Sequence, residues 1–228
     1  MRNMIRMDWI GMKYYQKRII LAPLFICIAT YTIPIAAIPV MTYFMLSFSV
    51  NPFAVEEKGK LDNLYLTLPV KRSTIVRARF GLSFLMVAIG QIVGVLAAFT
   101  ITALSNVFPP PFRYLMDLSF QNVFLFISVS LFMYAVLNLS MFPFLFKIGY
   151  ARGKALGFYL PNIAVLVTFY VVFLLVHFNP SIGNALNQGF LWVLEHILMT
   201  SLLLLGAAVA FLLLSYRLSL MLYHKREF

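Results

Sequence analysis

Long stretches without a single formal charge dominate this 228-residue chain. Residues 19–55, 80–112, 118–146, 155–194 and 196–216 contain no Lys, Arg, Asp or Glu, and together they make up 160 residues. A helix rising about 1.5 Å per residue needs about 20 mainly apolar residues to cross roughly 30 Å of hydrocarbon. Each run is therefore long enough to cross at least once. The chain is 62% hydrophobic and 11% charged, with a mean hydropathy of +0.91, against about 25% charged and 45–50% apolar residues in a soluble domain. A globule of this size still needs a polar shell, so soluble enzymes and disordered chains are excluded. The expected class is an all-α, polytopic membrane protein forming a single transmembrane domain over 1–228.

The cations assign sides, because short loops retained in the cytoplasm carry an excess of Lys and Arg. They fall into four clusters: Arg2, Arg6, Lys13, Lys17 and Arg18; Lys58, Lys60, Lys71, Arg72, Arg77 and Arg79; Lys147, Arg152 and Lys154; and Arg217, Lys225 and Arg226. Only Arg113 of the 18 lies elsewhere. If all four clusters share one side, each interval between them crosses an even number of times, which gives three helical hairpins, six spans and both termini in the cytoplasm. The first hairpin must fit within 19–55, with its turn at Thr30 to Pro34 and Pro39 beyond. The second crosses at 80–105 and 121–146, around a turn holding Pro109, Pro110 and Pro111, which no helix continues through. The third crosses at 155–177 and 195–216, joined by Asn179-Pro180 and a short amphipathic helix near 182–194. A single tilted helix over 19–55 would instead leave five spans and a strongly basic loop outside.

The first eighteen residues show no small-residue cleavage site, so the first span is expected to be retained. Met4, Ile5, Trp9, Ile10 and Met12 alternate with charges at helical spacing, which fits a helix lying in the headgroup layer as well as a basic lead-in to the first span. The lone Cys27 sits in an apolar run and reads as packing.

Residues 56–80 form the one stretch between spans on the basic side long enough to fold. Leu61, Leu64, Tyr65 and Leu68 recur at i, i+3, i+4 and i+7 and make an apolar helical stripe, and Glu56 stands four before Lys60 for a favourable pair. Pro69 stops that helix, and Ser73 is placed to cap the next. An interfacial helix of no further consequence would explain the stripe but not the ordered Leu-Pro-Val-Lys-Arg turn.

This segment resembles the signature of ABC-2 type permeases, in particular a small bacterial subfamily in which the loop after the second span reads E-K-x-x-x-D-x-x-x-x-x-L-P-V-x-R-x-x-I-V. The matching positions are Glu57, Lys58, Asp62, Leu68, Pro69, Val70, Arg72, Ile75 and Val76. The likeness extends over the whole chain. Within the family the chain is similar to the permease of the phenol-soluble modulin exporter and to permeases linked to export of, or immunity against, antimicrobial peptides. The resemblance implies a coupling helix between spans two and three that docks on a separate ATPase, with Glu57, Lys58, Leu61, Leu64, Tyr65, Leu68, Pro69, Val70, Lys71 and Arg72 as the docking set. It further implies two ATPase copies, a second identical or homologous permease, ATP and Mg bound by the partner, and residence in the bacterial cytoplasmic membrane. The expected cargo is an amphipathic or antimicrobial peptide. A membrane immunity or sensor protein that binds peptide or a partner without transport is the alternative.

The remaining side chains fit a non-catalytic subunit with no cofactor of its own. The nearest phosphate-loop lookalike, Gly149-Tyr150-Ala151-Arg152-Gly153-Lys154, has three residues between its glycines instead of four and Ala155 where Ser or Thr is required. No acidic residue falls well inside a run, His177 and His224 are isolated, and Glu195 and His196 are sequence neighbours on different helical faces. Neither a metal site nor nucleic-acid binding is indicated. Gln91, Asn138, Ser140 and Asn162 are candidates for a pathway or, with more weight, for helix-to-helix hydrogen bonds. Gly90 and Gly94 permit close helix approach. Gly149, Gly153 and Gly157 are expected to mark a turn, while Pro143 and Pro161 can kink the helices around them.

Overall fold

The computed structural model describes residues 2–11, 25–59, 71–107 and 118–225. Among these the fold is helical, in chain order α1 (Arg2–Gly11), a helical turn at 25–29, a 3-10 turn (Pro34–Ala36), α2 (Ala37–Phe48), α3 (Asn51–Gly59), α4 (Arg72–Val107), α5 (Phe120–Ile148), α6 (Tyr150–Lys154), a π-helical segment (Ala155–Tyr159), α7 (Leu160–Phe178), α8 (Pro180–Glu195) and α9 (Ile197–His224). Five stretches of the described residues are long and apolar enough to cross a membrane: Pro34–Gly59, Arg72–Ser105, Phe120–Ile148, Tyr150–Phe178 and Ile197–His224. The chain is thus a multi-pass membrane protein. The prolines Pro109 to Pro111 with Arg113, and the second half of the first basic cluster, lie outside the described residues.

The first uncharged run is not one helix. Thr30 to Ile33 form a turn in which Thr30 Oγ1 donates to the Ile26 carbonyl at 2.7 Å and the Ile33 amide to the Thr30 carbonyl at 3.0 Å. Pro34, with no amide hydrogen to offer, opens the 3-10 turn that follows. A second break at Ser49 and Val50 precedes Pro52, which for the same reason cannot close a bond to Phe48. An unbroken helix over 19–55 is therefore excluded, and the turn sits at Thr30 to Pro34 as expected.

Two further helix boundaries follow from their residues. Asn179 Oδ1 accepts from the Ser181 amide at 3.2 Å and Pro180 occupies the first turn of α8, which spans sixteen residues where a shorter helix was expected. At the other boundary, α4 already includes Arg72, so Ser73 lies inside its first turn rather than capping it.

Backbone proximity is set by glycine. A Cβ on Gly94 would stand 2.9 Å from Ile38 Cα, and one on Gly90 would stand 3.0 Å from Met45 Cγ, so α2 and α4 pack face to face at these positions. Gly149 alone has a positive φ, +83°, and turns the chain between α5 and α6. Gly153 and Gly157 do not belong to that turn, against expectation: a Cβ there would meet Leu145 Cα at 2.9 Å and Met141 Cα at 2.7 Å. The chain folds back along α5, and only a bare Cα fits. Pro161 has no amide hydrogen for the Gly157 carbonyl, and Ser140 Oγ donates to that carbonyl at 3.1 Å instead.

The core has two parts. Leu46, Phe53, Val76, Val87, Phe142, Leu145, Phe146 and Tyr223 pack where α2, α3, α4, α5 and α9 converge, while Ile26, Met41, Met86, Ala98 and Ile101 pack between α2 and α4. By contrast α7 and α8 contain no buried residue, and Ile163, Leu166, Phe169 and Phe173 are exposed.

Gly157→Ala is expected to destabilise the protein by about 1–3 kcal/mol, since the added methyl meets backbone. Gly206, whose Cβ would meet open space, provides the control, with Gly206→Ala neutral or about 0.5–1 kcal/mol more stable. Thermal unfolding in detergent checks both.

Candidate functional site

Among the described residues, α1, the start of α4 and the ends of α5 and α9, each of which carries part of a basic cluster, come together, and Asp8 and Glu56 stand among them. Arg79, in the third turn of α4, is 2% exposed. Its position follows from periodicity: Ile75, Val76, Leu82, Ser83 and Met86 make the buried stripe of α4, and Arg79 falls in the middle of it. A guanidinium in such a place requires counter-charge, because the cost of removing an ion from water amounts to several kcal/mol even after relaxation. Glu56 of α3 supplies it through Oε2 against Nη2, and Asp8 of α1 lies 3.9 Å from Nε. The ring of Phe53 stacks beneath the guanidinium, 4.1 Å from Cζ to the centroid. Burial raises the Asp8 carboxyl above its ordinary value against the opposing pull of Arg79.

Around this knot lies an aromatic packing layer. Phe53 meets Phe146 edge-on at 5.0 Å, Phe80 meets Phe142 at 4.9 Å and Tyr216 at 5.5 Å, and Phe146 meets Tyr223 at 5.3 Å. Two polar clamps complete the end of the bundle. Glu57 Oε2 accepts from the amides of Tyr150, at 2.6 Å, and Ala151, at 3.0 Å, so a carboxylate from α3 closes the turn into α6. Arg72 Nη1 donates to the carbonyls of His224, at 2.9 Å, and Tyr223, at 3.3 Å, and so covers the last turn of α9.

Of the ten residues expected to dock a partner, Glu57, Lys58, Lys71 and Arg72 are described; Leu61, Leu64, Tyr65, Leu68, Pro69 and Val70 lie outside the described residues. Lys58, Lys71 and Glu57 are exposed and Arg72 is half-buried, and Glu57 and Arg72 are bonded back to α6 and α9. Glu56 likewise faces Arg79, and Lys60, its expected partner, is outside the described residues. Arg79 is corrected from a loop cation to a buried one. The signal was present in the sequence: a lone Arg on the apolar side of a helical stripe.

The four polar residues singled out in the spans all bond across elements. Gln91 Nε2 donates to Ser130 Oγ at 2.5 Å, joining α4 to α5. Asn138 Oδ1 accepts from Ser215 Oγ at 2.8 Å, and its Nδ2 donates to Tyr134 Oη at 3.4 Å. Tyr134 Oη in turn lies 3.2 Å from Ser83 Oγ, which donates to Ser49 Oγ at 3.3 Å, so one chain of bonds runs from α9 through α5 and α4 to the end of α2. Ser140 holds the π segment, and Asn162 Oδ1 accepts from Tyr43 Oη at 3.2 Å. Each of these bonds joins two elements of the bundle. Among the described residues no group of His, Cys, Asp and Glu could hold a metal, and Gly153 of the phosphate-loop lookalike is occupied by packing on Leu145.

The Glu56–Arg79 pair joins α3, which precedes residues 60–70 in the chain, to α4, which follows them, and Glu57 and Arg72 add bonds to α6 and α9.

Glu56→Gln is expected to cost about 3–5 kcal/mol, because it leaves a buried guanidinium with Asp8 as its weaker partner. Asp8→Asn should act differently. The raised carboxyl means that the folded state holds the proton more tightly than the unfolded one, so its stabilising effect is complete below the ordinary Asp range and is lost as pH rises through the raised value. Thermal midpoints of the wild type, relative to Asp8→Asn, should fall as pH rises above the ordinary Asp range; an unchanged difference would contradict the assignment.

A family model described as ABC-2 family transporter protein matches residues 3–224. Comparison with curated proteins and with solved structures returned no match. With 222 of its 228 residues inside that match, and five apolar helices closed at one end by an ionic and aromatic knot, the chain belongs to the ABC-2 family of transporter proteins, whose members are membrane permeases that work with an ABC ATPase.

Proposed function

We propose that this permease exports an amphipathic or antimicrobial peptide, or a similar amphiphile, across the bacterial cytoplasmic membrane, driven by two copies of an ATPase that docks on residues 57–72. ATP and Mg reside on that partner, and a second copy of the chain or a homologous permease completes the pathway. The observation that carries the reading is the buried Glu56–Arg79 pair, which brackets residues 60–70 and converts any movement there into movement of α3 and α4. Leu61, Leu64, Tyr65 and Leu68 supply the apolar contact, with Pro69, Val70 and Lys71 at the tip.

Six crossings with both termini in the cytoplasm are supported by the placement of α1. Asp8 stands beside Arg79, and Ile26 belongs to the buried cluster that extends along α4 from Leu82 to Ile101. In this reading a first crossing separates Asp8 from Ile26, and Pro34–Gly59 supplies the second. The lack of Asp, Glu, Lys and Arg along α7 and in α9 before Arg217 suits an apolar cargo better than an ion.

Leu64→Asp and Tyr65→Asp are expected to reduce recovery of the ATPase on co-purification at least tenfold without changing the yield of the permease. Undiminished recovery would overturn the docking site. In vesicles, the complex should accumulate an amphipathic peptide with ATP, and hydrolysis should rise with peptide. Complex formation with neither effect would point to a membrane sensor or immunity protein.

A further inference from the structure

A cavity of about 280 Å³ opens near the basic end of the bundle, between the break joining α2 to α3 and the π segment. It is lined by Ser47, Phe48, Val50, Asn51, Tyr150, Lys154, Phe158 and Tyr159. Asn51 begins the helix that holds Glu56, so the cavity lies about 7 Å further into the bundle than the buried ion pair. Tyr is enriched at headgroup boundaries, and a Lys there can extend its ammonium towards the polar side.

The lining has two characters. Phe48, Val50 and Phe158 are apolar, whereas Lys154 presents a cation whose Nζ lies 3.2 Å from Tyr150 Oη and 5.4 Å from the ring centroids of both Tyr150 and Tyr159. The two rings hold the ammonium in place, yet no described carboxylate pairs with it: the ion pairs among the described residues are both made by Arg79. Of the acids on the flanking elements, Glu57 is engaged by the Tyr150 and Ala151 amides and Glu56 is paired with Arg79; the other charges on those elements, Lys58 and Arg152, are positive and exposed. Asn51 and Ser47 add polar groups at the opposite wall. Beyond Tyr159 the chain continues into α7, whose exposed Leu160, Ile163 and Leu166 are lipid-like in character, and Tyr43 stacks on Phe158 at 5.8 Å where α2 faces it.

An ammonium without a carboxylate, tyrosine hydroxyls, and an apolar continuation along a membrane helix together match one ligand chemistry. We propose that the cavity binds the phosphodiester of an anionic phospholipid, with the phosphate against Lys154 and the acyl chains along α7. The site is independent of the docking segment and goes beyond the transport reading, and it would fix α7 to the break between α2 and α3 through a lipid.

The test is native mass spectrometry of the full chain in detergent with phosphatidylglycerol, phosphatidylcholine and soluble glycerol phosphate. Phosphatidylglycerol is expected to bind about fivefold more tightly than phosphatidylcholine, with Lys154→Gln removing that preference and Lys147→Gln, at an exposed cation outside the cavity lining, retaining it. Glycerol phosphate alone should not displace the lipid. Equal losses in the two variants would mean diffuse surface charge and overturn the proposal, as would displacement by glycerol phosphate, which would make the site one for free phosphate. Should Lys154→Gln fail to fold, a photoreactive phosphatidylglycerol on the wild type decides: labelling within residues 47–51 or 150–159 supports the site, and labelling elsewhere overturns it.

Discussion

A guanidinium cannot remain ionised in an apolar interior without charge beside it, and the lower end of this bundle is arranged around that requirement. Arg79 lies in the buried stripe of α4, and Glu56 and Asp8 reach it from α3 and α1. Such a pair adds little net stability, because desolvation offsets most of the attraction. What it provides is specificity of position: α1, α3 and α4 have few other arrangements that leave Arg79 compensated. The surrounding Phe53, Phe80, Phe142, Phe146, Tyr216 and Tyr223 exclude water and strengthen the interaction.

The rest of the bundle is held by the means available where apolar burial does not distinguish helix from lipid. Contact depends on small residues and on hydrogen bonds that would otherwise be unmade. Gly90 and Gly94 bring α4 onto α2, and Gly153 and Gly157 bring the chain back along α5. The chain of bonds from Ser215 through Asn138, Tyr134 and Ser83 to Ser49 crosses four helices at one level. In contrast α7 and α8 bury no residue, and α7 presents exposed apolar side chains such as Ile163, Leu166, Phe169 and Phe173. Among the described residues the fold thus combines a part tied by buried polar bonds with a part whose apolar surface is uncovered.

Membrane residence, helical class, the long apolar helices α4, α5, α7 and α9, and the turn at Thr30 to Pro34 were all legible in the residues. Uncharged length and prolines are local properties, and the bilayer converts them directly into spans and turns. The inward use of Gln91, Asn138, Ser140 and Asn162 was legible for the same reason, since a polar group in hydrocarbon must find a partner. The partners themselves were not, because Ser130, Ser215, Gly157 and Tyr43 are distant in sequence and become neighbours only through packing.

The charged residues divide most sharply between what sequence and structure decide. Position along the chain determined that Glu56, Glu57, Arg72 and Arg79 lie at the basic end, since they flank the only long segment between spans there. Whether each faces outward or inward depends on the rotation and closeness of helices that the local sequence does not encode. Tertiary structure alone decided that Glu57 closes the turn into α6, that Arg72 covers the end of α9 and that Arg79 is buried against Glu56. The physical reason is that burial of a charge is settled by its counter-charge, and here every counter-charge arrives from another element.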